Sequence, residues 1–87
     1  MHAVVIAGAF IDRPAADAEL PDLSERVAGM PGFVAAYWIA LPDEEAHAVI
    51  VFDSEQGAQA LAGAPHGGPS SPVSVSAIKV GEVIGRA

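Results

Sequence analysis

Three histidines, His2, His47 and His66, are the side chains whose ordinary titration lies nearest neutrality, and they fall far apart in the chain. His2 is close to the amino terminus, where a solvated imidazole is expected. His47 stands among Ala46, Ala48 and Val49 in a run of strand character. It is read either as a polar position at a strand start or subunit rim, or as a general base or ligand contact facing a cleft. His66 lies in a stretch dense in Gly, Pro and Ser at 64–72, which is either a plain loop or a lid over a cleft. Tyr37 and Trp38 are neighbours, so on a strand they point to opposite faces. One of them can line a pocket while the other packs at a subunit interface. Tyr37, Trp38, His47 and His66 are therefore the ligand-binding candidates, and no catalytic residue is assigned.

Other chemistries find little support. Asp43-Glu44-Glu45 are consecutive turn carboxylates, expected to be solvated, and no histidine is placed in sequence to complete a facial triad. No metal is expected. Cysteine is absent, which removes disulfides, thiolate zinc sites, iron–sulfur clusters and thiol nucleophiles together. There is no Gly-x-Gly-x-x-Gly, phosphate loop or Gly-x-Ser-x-Gly elbow, and Gly67-Gly68 lacks the strand-to-helix context that phosphate binding needs. Ser74 and Ser76 alternate without a base beside them and mark a solvent face. No cofactor is expected. The net charge is −7, and Arg13, Arg26, Lys79 and Arg86 are scattered. Such a chain fits neither the phosphate backbone of nucleic acids nor an anionic membrane surface, and its acidity serves solubility.

The elements that must position these residues follow from apolar runs and their breakers. Residues 3–11 are continuous, apolar and partly β-branched, and read as a first strand ending at Asp12-Arg13-Pro14. From 15 to 28, Ala16, Leu20, Leu23 and Val27 recur at helical spacing between Asp17, Glu19, Asp22, Glu25 and Arg26. Pro21 either kinks this helix or begins its main part. Gly29 stops it and Pro31 forbids continuation. Residues 33–41 and 46–52 read as a strand hairpin around Pro42-Asp43-Glu44-Glu45. Asp53 or Ser54 can cap a second helix running from Glu55 to Ala62. Residues 73–80 alternate as a fourth strand, which Glu82, Val83 and Ile84 can extend.

This order predicts an α+β, ferredoxin-like βαββαβ fold. It is a single domain over 1–87, with a four-stranded antiparallel sheet and two helices on one face. Both faces of the first three strands are apolar: Val4, Ile6 and Phe10 against Val5, Ala7 and Ile11; Phe33, Ala35, Tyr37, Ile39 and Leu41 against Val34, Ala36, Trp38 and Ala40; His47, Val49 and Val51 against Ala48, Ile50 and Phe52. Two helices cover one face only, and so large an exposed apolar face is unusual in a monomer. A chain of 87 residues also has a small core and, without disulfides, needs another supplement. A sheet-to-sheet homodimer answers both demands. The apolar run at the amino terminus lacks a basic flank and is too short to span a bilayer, so a cytoplasmic location is expected.

At Met30-Pro31-Gly32-Phe33-Val34, and again from Ala48 through Phe52 to Asp53-Ser54-Glu55-Gln56, the chain resembles the dimeric α/β-barrel superfamily. It looks most like the small stand-alone domains related to antibiotic-biosynthesis monooxygenases. The resemblance implies a sheet-to-sheet homodimer with a cleft in each subunit between helices and sheet, and it implies cofactor-independent oxygenation or haem degradation in some members. Haem-degrading relatives use an asparagine on the first strand, a tryptophan before the second helix and a histidine on that helix. Here there is no asparagine, Phe52 stands at the tryptophan position, and Glu55 to Ala62 contains no histidine. Haem degradation is not expected. Three readings follow. The first is a dimeric module that binds a small apolar or aromatic molecule or simply self-associates. The second is a cofactor-independent monooxygenase acting on a polycyclic or quinol-like substrate. The third is a regulatory ligand-binding module paired by sheet edges. The first is preferred.

Overall fold

The computed structural model describes residues 1–65 and 70–87, so the candidate His66 lies outside the described residues. Its elements are β1 (His2–Phe10), α1 (Arg13–Ala28), β2 (Phe33–Leu41), β3 (Glu45–Phe52), α2 (Glu55–Ala62) and β4 (Val73–Glu82), with a 3-10 turn at Pro42–Glu44. The strands form one antiparallel sheet in the order β2-β3-β1-β4. This is the expected ferredoxin-like arrangement.

Local chemistry accounts for the helix limits. The Asp12 carboxylate accepts from the Ala15 backbone N–H at 3.1 Å and caps α1, with Pro14 in the first turn where its missing N–H costs nothing. The helix runs uninterrupted through Pro21 rather than restarting there. Pro21 is exposed, so water can serve the Asp17 carbonyl that the proline leaves without its usual donor. Ser54, not Asp53, caps α2: its Oγ accepts from the Gly57 N–H at 3.1 Å. Gly32 has the positive φ, +82°, and its carbonyl accepts from the Asp53 N–H at 2.8 Å, tying the start of β2 to the start of α2.

The face of the sheet carrying Val4, Ala48, Ile50 and Phe52 meets the helices. Val27 from α1 and Ala58 and Leu61 from α2 complete the buried core, with Ile6, Leu23, Met30, Ala36, Trp38, Ile78 and Val80 packed around it. Phe33 corrects the expected face assignment. The β2 register shifts between Phe33 (paired with Phe52) and Ala35 (paired with Val51), leaving Val34 as an extra residue. Phe33 therefore joins Ala36 and Trp38 rather than Tyr37, Ile39 and Leu41. Its ring meets Phe52 edge-on at 6.3 Å, and burying this aromatic pair outweighs strict alternation. A second bulge leaves Ser76 unpaired opposite Ala7 and Gly8, where its hydroxyl donates to the Ala7 carbonyl at 3.1 Å.

The opposite face of the sheet carries no helix. Tyr37 is 64% exposed there, Val5 is 44% exposed, and Ile39 and Leu41 are also open.

Candidate ligand-binding cleft

Cross-strand register builds the floor of a cleft under α1. Ala40 on β2 pairs with Ala46 on β3, and Ala46 pairs with Gly8 on β1. Three small residues thus lie side by side on the helix face, where larger ones would fill the space. Gly8 is fixed by the second bulge, since a Cβ there would collide with the Ser74 carbonyl oxygen. The next row holds Trp38, Ala48 and Ile6. Ala16, Leu20, Leu23 and Val27 of α1 roof the space, and Phe10 with Arg13 borders one end. The cleft is open to solvent on one side and has a volume of about 650 Å³.

The polar groups are few and sit at the border. Arg13 Nε donates to Asp17 Oδ1 at 2.8 Å, one turn along the helix, and its guanidinium lies 5.1 Å from the Phe10 ring centroid. Glu19 and Arg26 border another part of the cleft. The Ser71 hydroxyl is already engaged, donating to the Val73 carbonyl at 2.9 Å. Among the described residues no group of three or more His, Asp and Glu could hold a metal ion.

The structure separates the residues that the sequence singles out. Trp38 lines the cleft. Tyr37 stands on the open outer face, as strand alternation requires of its neighbour. His47 borders the cleft, but alternation along β3 gives its side chain to the outer face, where Nε2 is 3.7 Å from Glu45 Oε1. His2 is not solvated as expected. Its Nε2 lies 3.3 Å from Glu55 Oε2, and its Nδ1 is buried with no partner among the described residues. Arg13, Gly8, Ala40 and Ala46 were not foreseen as site residues. The one signal was Gly8 inside an otherwise unbroken strand run, which marks a bulge or close approach.

No protein-family model matches the chain, and no curated protein matches it in sequence. Among solved structures, one of the haem degrader MhuD from Mycobacterium tuberculosis, with two haems bound in its active site, aligns over 98% of both chains. The TM-score is 0.61 and the identity 18%. The two chains share the same ferredoxin-like fold. At this identity the likeness extends to the fold. Phe52, at the position where haem-degrading relatives carry tryptophan, is wholly buried against Phe33 and does not face the cleft.

Proposed function

We propose that the chain is a homodimeric module whose cleft binds a small apolar or aromatic molecule. The observation that carries this reading is the cleft itself. Its volume of about 650 Å³ lies within the usual range for small-molecule sites, and apolar residues with Trp38 form most of its walls. The same reading treats 1–87 as one domain working in the cytoplasm. Among the described residues no helix is long and apolar enough to cross a membrane.

Haem, which MhuD holds, does not fit the donor set here. Among the described residues no imidazole, thiolate or phenolate points into the cleft: His47 and Tyr37 belong to the outer face, His2 is paired with Glu55, and cysteine is absent. Binding and orientation are what the cleft's own residues can supply. Trp38 offers a ring for stacking, and the Ala40–Ala46–Gly8 floor offers room for a flat body.

The size and openness of the cleft also favour a second reading, cofactor-independent oxygenation of a fused-ring quinol. A deprotonated substrate of that kind can react with oxygen itself, so few protein groups are required. Native mass spectrometry on gently purified protein from its own host separates the readings. A dimer carrying a small molecule is the expected result and names the ligand class. A bare dimer reduces the function to self-association, and a monomer overturns the proposal. Oxygen uptake on added quinol that Ala46→Leu abolishes would move the assignment to the oxygenase.

A further inference from the structure

The ionic groups at the cleft are not a sample of the chain. The sequence holds eleven Asp and Glu against four Lys and Arg. Yet the cleft is bordered by two of the four cations, Arg13 and Arg26, and by two of the eleven anions, Asp17 and Glu19. Charge is balanced at this one groove in a protein that elsewhere repels anions.

Arg13 is held in a way that suits an incoming anion. Asp17 fixes its Nε at 2.8 Å, and the Phe10 ring supports the guanidinium from another side at 5.1 Å. Among the described residues neither Nη group has a partner, which leaves free the pair of donors that matches a carboxylate. Arg13 also breaks a local preference. It opens α1, where the helix dipole disfavours a cation, and the Asp12 carboxylate that caps the helix offsets this only in part. Departures of this kind from local preference are expected at functional positions.

We infer that the ligand is a small apolar body carrying one carboxylate or similar anion. Arg13 holds the anion, and the Gly8–Ala40–Ala46 floor beside Trp38 holds the body. This rests on the cleft being the binding site, as proposed above. Two dyes with the same ring body test it: 1-anilinonaphthalene-8-sulfonate, an anion, and N-phenyl-1-naphthylamine, which is neutral. The anionic dye should bind the wild-type protein about fivefold more tightly, the size of a partly exposed ion pair and opposite to the preference of a chain with net charge −7. Arg13→Gln should abolish this preference by weakening the anionic dye more than the neutral one. Asp17→Asn, whose Oδ1 can still accept from Arg13 Nε and keep it in place, should increase the preference, because it removes a negative charge beside the guanidinium. Ala46→Leu should weaken both dyes by filling the floor. Equal binding of the two dyes by the wild type, equal effects of Arg13→Gln on both, or loss of preference in Asp17→Asn overturns the anion assignment and leaves the cleft standing. Unchanged binding of both dyes in Ala46→Leu removes the cleft as the site, and the function proposed for it falls as well.

Discussion

Asp43 and Glu44 adopt φ values of 64° and 62°, both in the left-handed region, at the turn joining β2 to β3. The connection has three residues, Pro42–Glu44, and hairpins of that length commonly close on a left-handed residue, most often glycine. Aspartate tolerates the conformation through its short polar side chain, whereas glutamate gains no such relief. The strain is affordable because eight residue pairs between β2 and β3 hold the hairpin closed. Glu44→Gly should therefore raise stability by about 0.5–1 kcal/mol, or roughly 3–6 °C in melting temperature for a domain of this size. Removing one of three consecutive carboxylates acts in the same direction, so Glu44→Gln serves as the control. A thermal melt in which glycine does no better than glutamine would refute the left-handed turn.

Packing between elements reverses another propensity rule. Gly57 lies inside α2, where alanine ordinarily gains about 1 kcal/mol over glycine. Here a Cβ would stand 3.0 Å from Phe52 Cδ1, and the Phe52 ring is wholly buried and wedged against Phe33. The ring has nowhere to move, so Gly57→Ala should lose about 1 kcal/mol net by overpacking, measurable by urea denaturation. A gain in stability would mean that α2 sits farther from the sheet than the structure places it. The order of elements was legible because apolar runs and their Gly and Pro breakers are local features of the chain. Register was not. The bulges at Val34 and Ser76 arise from what the partner strands offer, and the first of them moves Phe33 across the sheet. The cleft floor was hidden for the same reason. Ala40, Ala46 and Gly8 read as filler in three separate runs, and only cross-strand pairing brings them together. Trp38 reads from sequence as core or as ligand contact, and it packs against the core while lining the cleft; His47 reads as rim or as cleft, and only the sheet fixes its face.

At the scale of the whole molecule the surface is larger than its mass explains. A compact monomer of 8.8 kDa exposes about 4,800 Å², and this chain exposes 5653 Å². A standard interface buries roughly 800 Å² of each partner. The open sheet face, with Val5, Tyr37, Ile39 and Leu41, is where such burial would occur, and a second copy presents the same apolar surface to it. Dimerisation makes stability depend on concentration, so the wild-type melting temperature should rise as protein is added. Val5→Glu is the sharpest probe, because Val5 lies on the central strand β1 and is half exposed in the isolated chain. In a monomer the carboxylate would reach water and the cost would be limited to about 1 kcal/mol of strand propensity and packing. In the proposed dimer it would bury a carboxylate and its cross-strand neighbour Lys79 at the interface, where the desolvation cost exceeds the gain of pairing, and sedimentation should show a monomer whose melting temperature no longer depends on concentration. A wild-type protein that stays monomeric, or a Val5→Glu variant that stays dimeric, refutes the paired-sheet arrangement. The two faces also share the same strands: Ile6 and Gly8 of β1 floor the cleft while Val5 and Ala7 point outward between them. Pairing the outer faces, as proposed, would stiffen the floor of the cleft, so the Val5→Glu monomer should also bind the anionic dye more weakly, although its substitution lies on the far side of the sheet from Arg13.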